Sequence, residues 1–160
     1  MTNFFLKMIL ILLFCGTSPS FLSAQIKKLD LQKKELIGRI APGGAITVSM
    51  QCYKYEDDSY VFRYRDAKYS KLEEWKDFRI RSSEDFETLY SYLADGFKDM
   101  PEDKVLLDIG NEFLMLEFGR FLGGKVVRIY HSTSSNKDFA VVGYTNQYTA
   151  KQIDKLFNKK

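Results

Sequence analysis

An α+β domain is predicted: a mostly antiparallel sheet packed against one central helix at about 82–98, with a short C-terminal helix. Three features carry that prediction. Apolar residues in SSEDFETLYSYLADGFK recur every three or four positions, segments alternating with period two lie on both sides of that stretch, and strands and helices do not alternate as βαβ units would. Phe86, Leu89, Tyr90, Leu93, Ala94 and Phe97 give the helix its apolar face. Ser82 offers a capping oxygen, with Asp85 three residues on as in a capping box. Glu84, Asp85 and Glu87 put negative charge at the end the helix dipole favours, and Pro101 ends the pattern.

The other elements follow in order. Residues 25–34 are charged and read as a frayed terminus or an edge strand, and residues 36–40 as a strand. Ala41-Pro42-Gly43-Gly44 imposes a turn. Residues 45–55 alternate, with Ile46, Val48, Met50 and Cys52 on one face, and Glu56-Asp57-Asp58-Ser59 turns them into a second alternating run at 60–65, a β-hairpin. A loop at 66–71 leads to a strand at 75–81 carrying Phe78 and Ile80, with a short helix beginning at Glu73 as the alternative. Beyond the helix, residues 105–109 form a compact apolar strand, and 113–120 and 126–132 a second hairpin turning at Gly123-Gly124. A polar loop at 132–138, a last strand at 139–144 and a helix at 149–157 with Ile153, Leu156 and Phe157 inward close the chain. No repeat of fixed period and no low-complexity segment interrupts it.

The first two dozen residues read as a secretory signal peptide. Lys7 precedes the apolar run Met8 to Phe14, which is shorter than the roughly 20 residues a bilayer span needs, and small residues end at Leu22-Ser23-Ala24. Cleavage is expected between Ala24 and Gln25, with Ser20 as the other position; an uncleaved anchor and lipidation at Cys15 are the alternatives, the second disfavoured by the bulky Phe14. The trimmed chain would be secreted or periplasmic, with no stable membrane span, and residues 25–160 would form one globular domain with a hydrophobic core. Losing Lys7 leaves 23 basic against 21 acidic residues, interleaved rather than clustered, which gives no footprint for nucleic acid. Cys52 becomes the single cysteine, so an intramolecular disulfide is excluded, and its apolar strand phase reads as a buried inert thiol.

Few residues point to chemistry. His131 is the only histidine, so multi-histidine metal sites are excluded, and no metal or cofactor is expected. Ser132 to Ser135 lie beside His131, and Asp138 or Asp108 could orient it, but no Gly-x-Ser-x-Gly elbow is present and such a loop is ordinary turn composition. Asp57-Asp58, Glu73-Glu74, Glu84-Asp85 and Glu102-Asp103 read as solvated pairs rather than catalytic carboxylates, and Asp57-Asp58 lack a calcium loop's ligand spacing. Gly43-Gly44 and Gly123-Gly124 lack the context of a phosphate loop.

The aromatics are more informative. Tyr53, Tyr55, Tyr60 and Tyr64 fall in one hairpin with Arg63 and Arg65, and tyrosine and arginine are the residue types that anchor interfaces or contact sugars. These six are the candidate binding residues; the plainer reading is that cross-strand aromatic pairs stabilise the sheet. The Ala24-Gln25 junction, DFETLYSYLADGFKDMP and GYTNQYTAKQIDKLF together resemble small exported proteins of Bacteroidota, a resemblance that implies export and no catalytic residue. The sequence therefore reads as a non-enzymatic exported domain that binds a protein or glycan through a sheet face or through this hairpin. A small secreted hydrolase using His131 and a structural subunit of an envelope assembly are the alternatives. In the binding case His131→Ala should leave the fold nearly unchanged; in the hydrolase case it should abolish turnover.

Overall fold

The computed structural model describes residues 33–41, 47–69, 71–133 and 141–159. The leader, the strand phase of Ile46, Ser134, Ser135, Asp138 and the start of the last strand at Phe139 lie outside these residues. Among the described residues, eight strands form two antiparallel four-stranded meanders. The first holds β1 (Lys34–Ile40), β2 (Met50–Tyr55), β3 (Tyr60–Arg65) and β4 (Trp75–Ile80), in that order. Helix α1 (Ser83–Asp99) follows. The second sheet holds β5 (Val105–Asp108), β6 (Phe113–Phe121), β7 (Gly124–Ser132) and β8 (Val141–Tyr144), and helix α2 (Ala150–Leu156) follows it. The predicted elements are present, but the strands divide between two sheets, and the order of four strands and a helix occurs twice.

Local chemistry explains the boundaries. Ser82 caps α1 by accepting from the Asp85 N–H at 3.1 Å, and Met100 ends it in a left-handed conformation (φ 50°), donating its N–H to Gly96 at 2.9 Å just before Pro101. In α2 the Thr149 side chain and Gln152 form a reciprocal capping box. Between β6 and β7, Phe121 pairs with Gly124, so the turn is centred on Leu122 and Gly123 rather than on the two glycines. Both central residues have positive φ, 49° and 82°, the mirror-image turn whose twist matches the flanking strands.

One core joins the described elements. Buried Phe86, Leu89, Leu93 and Phe97 of α1 meet Phe62, Phe78 and Ile80 of the first sheet and Leu114, Leu116, Val127 and Ile129 of the second, whereas Tyr90 and Ala94 are half-buried at its margin. Phe86 stacks on Tyr60 with ring centroids 4.1 Å apart and reaches Phe157 at 4.8 Å, and Phe62 lies 5.2 Å from Phe157. These rings tie β3, α1 and the end of α2 into one column, each pair adding about 0.5–1.5 kcal/mol beyond its buried area. Two glycines permit the closest approaches: Gly38 on β1 lies under the Lys155 and Leu156 carbonyls of α2, and Gly96 on α1 lies under the Phe118 ring. Among the described residues no helix is long and apolar enough to cross a membrane.

Candidate binding face and the polar seam between the sheets

Strand register determines which side chains share the outer face of the first sheet. Arg39 pairs with Gln51, Gln51 with Arg63 and Arg63 with Asp77, so this row crosses all four strands. The next row runs Leu36, Tyr53, Val61 and Arg79, and Arg65 pairs with Trp75. Cations lie over the rings of this face. Lys34 Nζ is 4.4 Å from the Tyr53 ring centre, Arg63 Cζ 5.2 Å from that of Trp75 and Arg79 Cζ 5.4 Å from that of Tyr55. Arg65 meets Glu73 at 3.3 Å and Arg79 meets Asp57 at 3.8 Å, whereas Lys34, Arg39 and Arg63 make no ion pair among the described residues. Asp77 is the one acid in these rows, so the face is cationic.

The six hairpin residues separate by strand phase. Tyr53, Tyr55 and Arg65 are half-buried and Arg63 is exposed on this outer face. Tyr60, 7% exposed, and Tyr64, fully buried, point into the core. Burial withdraws both from any external ligand, because pairing Cys52 with Phe62 puts Tyr60, Phe62 and Tyr64 on one inward row. Trp75 and Arg79 join the face from β4, a strand the hairpin argument did not reach; their alternation with inward Phe78 and Ile80 was the available signal.

Polar residues are buried where the sheets meet. The Asp66 carboxylate, with no exposed side-chain surface, lies 2.7 Å from Lys76 Nζ and accepts the N–H groups of Lys68 at 3.0 Å and Tyr144 at 3.3 Å. Burial alone would raise its pKa, but the ammonium and the two N–H donors outweigh it and hold the carboxyl below its usual value. Lys76 is held above its usual value, since burial disfavours its charge less than Asp66 and Glu74 favour it. Its ammonium also donates to the Val142 carbonyl of β8. Tyr64 OH lies 3.1 Å from His131 Nδ1, and Glu112 Oε2 lies 3.5 Å from His131 Nε2.

His131 is thus part of the join between the sheets. It is 3% exposed and packed against Phe78, with ring centres 5.8 Å apart. The expectation that His131→Ala leaves the fold nearly unchanged is corrected by this burial: the substitution opens a cavity and strands the Tyr64 hydroxyl, at about 2–4 kcal/mol. A hydrolytic base must also reach its substrate, and this ring is enclosed. Asp108, one of its expected orienters, instead accepts the Gly110 N–H at 2.7 Å.

Burial, followed by Lys76, pushes the His131 pKa below 6.5, against Glu112 and Asp77, which pull it up. The unfolded chain then binds a proton that the folded chain resists, so the His131 contribution to stability is present above pH 6.5 and is lost as pH falls toward the lower folded value. The melting midpoint is expected to drop between pH 7.5 and 5 in the parent, with a visibly smaller drop in His131→Gln. Equal slopes in thermal melts of the two would refute this.

The paired carboxylates are structural or solvated. Asp57 accepts the Ser59 N–H at 3.1 Å, Asp58 pairs with Lys54 at 2.8 Å, and Glu84, Asp85, Glu102 and Asp103 are exposed. Cys52 is fully buried and free, and burial pushes its thiol pKa far up. No group of three or more His, Cys, Asp or Glu among the described residues is arranged to hold a metal ion. No family profile, curated protein or solved structure matches the chain.

Proposed function

We propose that this is an exported, non-enzymatic binding domain whose outer first-sheet face docks an acidic protein surface. The observation that carries the reading is the arrangement of Lys34, Arg63 and Arg79 over Tyr53, Trp75 and Tyr55 on one face, with Lys34, Arg39 and Arg63 in no ion pair among the described residues. A cation–π pair holds a guanidinium flat and pre-oriented, which lowers the ordering cost of a bidentate contact to carboxylate. Because the cations cover the rings, this face offers guanidinium planes and ring edges rather than the open ring face a neutral sugar stacks on. Enclosure of His131 argues against the hydrolase reading. Export rests on the leader, and the N-terminus of the protein from cells, read by mass spectrometry, is expected at Gln25.

The binding test is site-specific photo-cross-linking in cells from position 63, with position 120 on β6 as the control. Capture of one discrete acidic protein is expected at 63 only. Arg63→Ala and Trp75→Ala should each weaken binding to that protein roughly 5- to 30-fold, as central arginine and tryptophan anchors do. A glycan-array signal without protein capture would move the ligand to a glycan. Absence of both would sink the reading.

A further inference from the structure

A cleft of about 480 Å³ lies on the second sheet, between α1 and β5, away from the outer first-sheet face. One wall is the end of β4 at Ile80, Arg81 just after it, and a stripe of α1 running from Asp85 through Leu89 to Tyr92. The other wall is the unbroken run of residues 106–110. Residues 106–108 belong to β5 and 109–110 lie just past its end; because successive side chains of a strand point to opposite faces, a cleft reached by three consecutive strand residues meets the edge of the strand. β5 is the terminal strand of its sheet, paired only with β6 among the described strands. Backbone N–H and C=O groups without a strand partner therefore line this wall, next to Leu106, which is 55% exposed, and opposite Tyr92, which is 49% exposed.

Arg81 stands at one end. A Cβ on Gly110 (φ 106°) would lie 2.9 Å from the Arg81 guanidinium carbon, so only glycine lets the guanidinium rest on the chain there. That guanidinium makes no hydrogen bond or ion pair among the described residues. The two acids of the cleft are engaged: Asp85 Oδ2 accepts from Ser82 Oγ at 2.8 Å and Asp108 Oδ1 from the Gly110 N–H at 2.7 Å. Arg81 is the single cation lining the cleft and has no ion-pair partner among the described residues, which makes it the group that receives an anion.

We propose that this cleft takes an extended peptide segment, added to β5 as a further antiparallel strand, with an acidic side chain on Arg81 and an aliphatic one between Tyr92 and Leu106. A strand satisfies the edge's backbone groups, which a small apolar ligand would leave unpaired. Every other strand pair in both sheets is antiparallel. In that direction the N-terminal end of the peptide lies by Gly110, so the acid precedes the aliphatic residue.

The test selects random octapeptides, displayed with both ends fused, on the chain from Gln25 to Lys160. Enrichment of Asp or Glu ahead of Val, Ile or Leu is expected. The consensus peptide, made with blocked ends, should lose about tenfold in affinity when its acid becomes the amide and about as much on Arg81→Ala, the two losses not adding. Methylating its inward amide nitrogens should abolish binding, and Tyr92→Ala should weaken it several-fold. Arg81 and Tyr92 are exposed, so thermal melts of these variants should match the parent. No enriched pattern, undiminished binding to Arg81→Ala, or undiminished binding of the methylated peptide would each overturn the proposal.

Discussion

Gly38→Ala is expected to destabilise the domain by about 3 kcal/mol, the upper part of the range for overpacking. The added methyl would be driven into the Lys155 and Leu156 carbonyl oxygens and come 2.7 Å from the Leu156 carbonyl carbon. Those are backbone atoms and cannot rotate aside, so β1 or α2 must shift as a unit. α2 holds Ile153 and Leu156 in the core and is followed by buried Phe157, so a shift of α2 opens the packing against Phe62 and Phe86. Gly119→Ala is the matched control, because nothing lies within 4 Å of its added methyl, and strand alanine is if anything favoured over glycine. Urea unfolding followed by Trp75 fluorescence measures both. A Gly38→Ala midpoint equal to that of Gly119→Ala would mean that β1 and α2 are not packed as described.

Lys76→Met carries the second large effect, also about 3 kcal/mol, because it leaves Asp66 buried without its cation. The low end of the range for a broken buried pair applies, since the lysine side chain is 18% exposed. The double variant Lys76→Met with Asp66→Leu should recover most of the loss, as replacing both members of a buried pair with apolar groups often does. In the parent the depressed Asp66 pKa contributes stability that is present above pH 3.8 and lost as pH falls below it through the folded value. In Lys76→Met the carboxyl can shed its charge by protonation, so the penalty should shrink on acidification from pH 7 to 4. A double variant as unstable as the single one would remove the ion pair from the account of how the sheets are joined.

The elements were legible wherever one period dominated. Helix α1 announced itself through Phe86, Leu89, Leu93 and Phe97 behind a Ser82 cap, and β3 through its alternation, because each pattern is local and has a single interpretation. The division into two sheets was not legible, since it depends on which strands pair across α1 and no local residue encodes that. The seam was hidden for a related reason. Lys76 shares the inward phase of Phe78 and Ile80, and Asp66 lies in what reads as an ordinary loop, yet each is tolerated inside only because the other is there. The binding face was half legible, as both of its tyrosines and two of its arginines stand in the β2–β3 hairpin. Its Trp75 and Arg79 come from β4, and the α1–β5 cleft exists only once a helix and a distant strand edge are set side by side.

Cys52 gives the core a built-in chemical clock. Its sulfur is sealed in the first sheet's inner layer, so an alkylating reagent modifies it only in molecules whose core has come apart, and the labelling rate counts those openings directly. The same sealing shields the Cys52 thiol from oxidative cross-linking. Copies of the chain paired through Cys52 would therefore record how often it had unravelled rather than any assembly it is built to form.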